Sequence, residues 1–177
     1  RSDVYCQAEE LACELARDGF AIITGGGHGV MEAANRGAAR IKKGKSVGLV
    51  IELPQGTRAN RYIEKSLSFH YFFARKMMLA FSSEAYVFFP GGFGTLNEFF
   101  EMTMLIQTKK TGAVPIVLVG KEYWRGILAW IERVVWRKNK AISRNDMKIY
   151  RLVDDAREAR AFLAKTLKDG NNKRSRV

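Results

Sequence analysis

Apolar positions along the chain recur at two periods, and the alternation between them outlines the fold. From Val4 to Asp18, apolar or small residues stand at 4, 8, 11, 12, 15 and 16, a helical stripe closed by Gly19. Phe20–Thr24 is a short unbroken apolar run, as in a buried strand, and leads into Gly25-Gly26-Gly27-His28-Gly29. A helix is predicted from about Val30 to Lys43, and a strand from Ser46 to Leu53, ended by Pro54. Gln55–Ser68 is polar and lacks a period, which predicts a long loop carrying Arg58, Asn60, Arg61 and Tyr62. Phe69–Phe81 is an aromatic-rich helix with Arg75 and Lys76 on it; Phe69, Phe72, Phe73, Met77 and Met78 are expected in the core or in a dimer interface. Ala85–Phe89 is the next strand, followed by a glycine turn and a helix to about 108. Pro115–Val119 (strand), Tyr123–Val135 (helix), Ile149–Val153 (strand) and Asp155–Leu167 (helix) complete the pattern.

Strands alternating with helices imply an α/β fold, a doubly wound parallel sheet with helices on both faces. Such sheets bind ligands at the carboxyl ends of their strands, where both glycine turns fall and where they are expected to form one composite site. A single domain is predicted over 1–168, with a basic, disordered tail over 169–177. The chain opens on a helix where this fold ordinarily opens on a strand, so a preceding N-terminal strand is expected.

Composition narrows the partners. At 177 residues and 47% hydrophobic, the chain is long enough for a proper core. No apolar run approaches the roughly 18 residues of a membrane span, and no signal-peptide pattern opens the chain. Cys6 and Cys13 lie seven residues apart on one predicted helix and read as reduced thiols, so a cytoplasmic location without membrane partners is expected. The net charge of +12 lies partly in the tail and otherwise scattered, as at Arg40, Lys42, Lys43, Lys45, Arg133, Arg137 and Lys138. Such scatter describes a solvated face and a field that attracts phosphorylated small molecules; a nucleic-acid partner is not expected.

The chemistry concentrates in Ala85–Glu101. A strand, then Pro90 and three glycines, then a helix opening at Thr95 make a phosphate seat: glycines let a ligand reach the backbone, and the helix start offers unpaired N–H groups. Glu98 lies one turn inside that helix. Neither glycine turn completes a dinucleotide fingerprint, since the third glycine position is Val30 in one and Asn97 in the other. Glu52 could otherwise stand for the ribose-binding acid. Gly44-Lys45-Ser46 fails as a P-loop because position 39 is alanine and a strand follows. His28 and His70, the only histidines, support neither a metal set nor a serine–histidine hydrolase, so no metal is expected. His28 is expected as a turn residue near bound phosphate.

Pro90-Gly91-Gly92-Phe93-Gly94-Thr95-Leu96-Asn97-Glu98 resembles the P-G-G-x-G-T-x-x-E signature of the Lonely Guy family. Gly25–Asn35 is similar to that family's first glycine turn, and Arg75-Lys76 to its R-K pair. The resemblance runs from the first helix to about Trp130. It implies a Rossmann-like homodimer that hydrolyses nucleoside 5′-monophosphates, cytokinin nucleotides among them, to free base and ribose 5-phosphate without a cofactor. By that resemblance Glu98 and Arg75 are the catalytic pair and Gly91, Gly92, Gly94 and Thr95 hold the phosphate. Gly26, Gly27, Gly29, Lys76 and Glu101 are expected to contact substrate. Two departures bear on the base: Phe72-Phe73-Ala74-Arg75-Lys76 replaces the usual M-H-x-R-K, and His28 replaces serine or proline. Members also carry the label lysine decarboxylase, but no pyridoxal-phosphate lysine with its partners is visible.

The chemistry of Glu98 follows independently. Breaking an N-glycosidic bond builds positive charge on the ribose, which a nearby carboxylate stabilises more in the transition state than in the ground state. Two alternatives remain at this point. Thr95-x-x-Glu98 is also a capping box, in which the glutamate serves the helix's own amides. Related folds also carry nucleotides or the molybdenum cofactor without hydrolysing them, and such a carrier ranks second, ahead of a nucleic-acid binder.

Overall fold

The computed structural model describes residues 2–42, 45–52 and 59–174, with side chains to 167. Its contacts divide the chain into two compact units, residues 1–83 and 84–177.

In the first unit the elements are α1 (Asp3–Arg17), β1 (Ala21–Thr24), α2 (Val30–Ala39), β2 (Lys45–Ile51), β3 (Lys65–Phe69) and α3 (Phe72–Phe81). Ser2 caps α1, its hydroxyl accepting from the Tyr5 amide at 3.3 Å. The three strands form a parallel sheet in the order β1-β2-β3, with Ala21 opposite Lys45 and Val47 opposite Lys65. Ala8, Leu11, Ala12 and Ala16 of α1, Ala33 and Ala38 of α2, and Leu49 and Val50 of β2 supply its core. The helices α1 and α2 meet backbone to backbone: a side chain at Gly37 would run into the carbonyl of Glu9. The buried Glu9 carboxylate lies 2.7 Å from Arg40 and 3.5 Å from Arg36, across the same seam. Cys6 is exposed and Cys13 half-buried on α1, and both are free thiols.

Strand β3 corrects the expected loop. Four of its five residues, Lys65-Ser66-Leu67-Ser68, are exposed and among the described residues it pairs only with β2, so an edge strand forms without the apolar run that would announce it. Arg58 and the rest of 53–58 lie outside the described residues, as does Lys43, while α2 ends at Ala39. The aromatic helix starts at Phe72 and not at Phe69, which ends β3, and of the two places expected for its apolar residues the core is not the one they take. Phe72, Phe73, Met77 and Met78 do not enter the core; Phe73 is 70% exposed.

The second unit contains β4 (Tyr86–Phe88), α4 (Phe93–Gln107), β5 (Ile116–Val119), α5 (Lys121–Trp130), β6 (Tyr150–Val153) and α6 (Ala156–Arg174). Helix α6 runs past Leu167 into the stretch expected as tail, and 175–177 lie outside the described residues. The strands form a parallel sheet in the order β4-β5-β6, and all four residues of central β5 are buried. Helix α5 continues as a π-helical segment over Ile131–Lys138. Phe99 of α4 is fully buried, its ring 5.9 Å from Phe88, 5.3 Å from Trp124 and 5.4 Å from Tyr150. Burial, with Glu132 nearby, pushes the Tyr150 phenol up to about 12. Among the described residues no helix is long and apolar enough to cross a membrane.

Candidate functional site

The first glycine turn joins β1 to α2. Gly26 has a φ of +77°, and a Cβ there would lie 2.7 Å from Val50, so both its conformation and its surroundings require glycine. The Thr24 hydroxyl accepts from the Gly26 amide at 3.0 Å and lies 2.6 Å from the Asn35 carboxamide oxygen. Buried Asn35 donates to the Ser46 hydroxyl at 2.9 Å. Asn60, 4% exposed, reaches back across the chain and donates to the Gly26 carbonyl (3.2 Å), the Gly27 carbonyl (3.0 Å) and the Asn35 carboxamide (3.0 Å). Its own amide bonds the Gly26 carbonyl at 2.8 Å. The loop 59–62 is thereby stitched to the glycine turn, and these buried polar groups hold one another.

Arg75 belongs to the same neighbourhood. Its Nε donates to the Leu49 carbonyl at 2.8 Å, and its Nη2 occupies the space that a side chain on Gly25 would need. The guanidinium is thus laid against the bare backbone of the turn. Lys76 follows it, half-buried, on α3. His28 is exposed at the tip of the turn and pairs with Glu32, Nδ1 to Oε2, at 3.0 Å. Glu52 lies outside this cluster, exposed and 3.5 Å from His70. Gly29, with a φ of +72°, is the N-cap of α2.

The second glycine turn joins β4 to α4. Here Gly92, not Thr95, is the N-cap; the helix starts at Phe93, and no side chain caps it. This corrects the expected start at Thr95 and removes the capping-box alternative, because Thr95 is the third helical residue and Glu98 the sixth. The physical reason is local: the Thr95 hydroxyl is packed against the α-carbon of Gly91, where a side chain on Gly91 would collide with it. The helical ladder begins with the Leu96 amide on the Gly92 carbonyl at 3.2 Å. The amides of Gly92, Phe93, Gly94 and Thr95 therefore have no partner within the helix. Gly91, Gly92, Phe93 and Gly94 are all exposed. Glu98 is half-buried one turn beyond Thr95, and Glu101 half-buried one turn beyond Glu98 on a similar face.

Two residues escaped the sequence patterns. Asn60 appeared only as one polar residue of a loop. Tyr123, on α5, donates from its phenol to the Gly91 carbonyl at 2.7 Å, across 32 residues of chain. Gly120, with a φ of +95°, is the N-cap of the same helix, and a Cβ there would lie 3.4 Å from the ring of Pro90.

Comparison with known proteins bears on these turns. The model of the family described as possible lysine decarboxylase matches residues 31–163, which include Arg75, the Pro90–Thr95 turn and Glu98. A Mycobacterium tuberculosis protein named cytokinin riboside 5′-monophosphate phosphoribohydrolase is 30% identical over 141 residues, 72% of this chain and 75% of its own. A Rhodococcoides fascians protein of the same name is 27% identical over 129 residues, 71% of this chain; the match spans 64% of its own length, under two thirds. Among solved structures, the molybdenum cofactor carrier protein of Chlamydomonas reinhardtii superposes with a TM-score of 0.67 at 20% identity, covering 95% of this chain and 90% of its own. The molybdenum cofactor binding protein of Rippkaea orientalis gives 0.63 at 18%, covering 94% and 90%. At those identities the structural likeness speaks for the Rossmann-type fold. The family match takes in three quarters of the sequence together with the glycine turn, the arginine and the glutamate singled out above, and the chain belongs to the Lonely Guy family, the group described as possible lysine decarboxylase.

Proposed function

We propose that this chain hydrolyses the N-glycosidic bond of a nucleoside 5′-monophosphate, releasing the free base and ribose 5-phosphate. The observation that carries the proposal is the uncapped start of α4, exposed along Gly91–Gly94, with the Glu98 carboxylate one helical turn behind it. The 5′-phosphate bonds the amides of Gly92 to Thr95, where the helix start carries partial positive charge. Water attacks C1′ of the ribose as the bond from C1′ to the base nitrogen breaks; the electron pair leaves with the base, which takes up a proton. Glu98 steadies the positive charge on the ring and accepts the proton of the attacking water. Arg75 is the second catalytic residue in this proposal, with Lys76, Glu101, Gly26, Gly27 and Gly29 as substrate contacts. The names of the two relatives support the same reaction.

The likeness to molybdenum cofactor proteins favours a second reading, a carrier that binds a nucleotide-like ligand and releases no base. Incubation with AMP, a cytokinin riboside monophosphate and the other common nucleoside monophosphates separates the two. Free base and ribose 5-phosphate in equal amounts are expected from at least one of them. A ligand-dependent rise in melting temperature with no base released from any would overturn the hydrolase in favour of the carrier.

The exposed apolar side chains of α3, Phe72, Phe73, Met77 and Phe81, are where we assign the contact between two copies of the chain. Sedimentation at graded concentration checks it: a monomer throughout removes the assignment.

A further inference from the structure

We infer that Tyr123 is a positioning residue for the phosphate seat, its phenol holding the Gly91–Gly92 peptide so that the Gly92 amide faces the mouth of α4. The inference rests on the proposed function only for what the seat is used for; the geometry stands by itself. The phenol oxygen lies 2.7 Å from the Gly91 carbonyl, the usual separation for a sound O–H···O bond. No peptide bond among the described residues is cis. In a trans peptide the carbonyl of one residue and the amide of the next point in opposite directions. Drawing the Gly91 carbonyl toward Tyr123 therefore turns the Gly92 amide away from it. At its other end Gly92 is fixed as well, since its carbonyl takes the Leu96 amide at 3.2 Å.

Such a constraint matters at this place because of the sequence. Rotating a peptide plane changes ψ of the residue before it and φ of the residue after it, and here both are glycines, which tolerate either orientation. Thr95 packs against Gly91, but a side chain at Gly92 would meet open space, so packing constrains the peptide from one side alone. The phenol supplies the selection. The Tyr123 ring, 39% exposed, stands edge-on to Trp124 at 5.0 Å, and Trp124 is fully buried with its indole N–H on the Val119 carbonyl at 3.1 Å. The Tyr123 amide bonds the carbonyl of Gly120 at 3.1 Å. Orientation is thus passed from the buried strand β5, through the first turn of α5, to the amide that meets the ligand. A seat whose amides are aimed before the anion arrives loses less on binding it.

Tyr123→Phe keeps the ring and its packing and removes only the donor. Affinity for inorganic phosphate and for ribose 5-phosphate, measured by calorimetry, is expected to fall roughly two- to tenfold, the range for one lost hydrogen bond. With AMP as substrate, KM is expected to rise by a similar factor with kcat nearly held, the mark of lost ground-state binding. A purely structural tyrosine would instead lower the melting temperature of the unliganded protein and leave phosphate affinity alone. Unchanged phosphate affinity in the variant overturns the inference, as does a wild-type protein that binds no phosphate at millimolar concentration. If the wild type releases no base from any nucleotide while Tyr123→Phe still weakens phosphate binding, the hydrolase proposal falls and the role of Tyr123 stands.

Discussion

The two glycine turns look alike in sequence, each a glycine cluster between a short apolar strand and a helix, yet they are built on different physics. The β1–α2 turn is closed inward: Thr24, Asn35 and Asn60 take up its polar groups, and Val50 occupies the space beside Gly26. The β4–α4 turn is open outward, with four exposed residues and one phenol on one carbonyl. Glycine serves the first turn because neighbouring atoms leave no room, and it serves the second because a ligand needs the room. Substitution should therefore cost mainly stability at the first turn and mainly binding and rate at the second.

The largest expected effect probes the open turn. Glu98→Gln is expected to lower base release by about 10²–10⁴-fold while the melting temperature stays within about 2 °C of the wild type, because Glu98 is not a member of a capping box. Full activity in the variant would take Glu98 out of the mechanism. Next comes the closed turn: Asn60→Ala strands the Gly27 carbonyl and removes the bond to the Asn35 carboxamide, while the Gly26 carbonyl keeps the backbone amide of residue 60, and it is expected to cost about 1–3 kcal/mol in denaturant unfolding. A change below about 0.5 kcal/mol would make the buried network dispensable and erase the contrast. Its counterpart is Gly92→Ala, where φ is −94° and the added methyl meets open space. Stability should move by less than about 1 kcal/mol, while phosphate affinity falls about tenfold as the methyl crowds the ligand. Loss of stability with binding retained would reverse the roles of the two turns.

The smallest effect concerns the other end of α4. Asp146 accepts from the Ser143 amide at 2.6 Å and from Gln107, in the last turn of α4, at 3.0 Å. The Ser143 backbone bond, with help from Gln107, holds the Asp146 carboxyl below its ordinary range. A depressed carboxylate adds stability above its unfolded pKa, and that contribution is lost as pH falls through the folded value. Urea midpoints of Asp146→Asn and wild type should differ slightly at neutral pH, and the gap should narrow as pH falls below the ordinary carboxylate range. A gap that widens in acid would contradict the assignment.

Much of this was legible in the chain. Strands and helices announced themselves by period, and Pro90–Glu98 with Arg75 carried the family. What stayed hidden was of two kinds. Edge strand β3, four of whose five residues are exposed, has too little burial to leave a pattern, since periodicity records burial and not backbone pairing. The ties from Asn60 and Tyr123 join residues more than thirty positions apart, and no local spacing encodes them. The start of α4 was misplaced because threonine is a good N-cap by propensity, whereas here its hydroxyl is spent against Gly91. The arginine laid on Gly25 was legible as a residue but not as a contact.

Phe99 gears the acid to the interior. Successive helical residues are about 100° apart around the axis, so once the Phe99 ring is locked among Phe88, Trp124 and Tyr150, the bearing of its neighbour Glu98 is settled too. Rolling α4 to re-aim the carboxylate would mean pulling an aromatic plug from its socket. Variants selected for a different nucleobase should therefore keep that helix in its setting and change elsewhere.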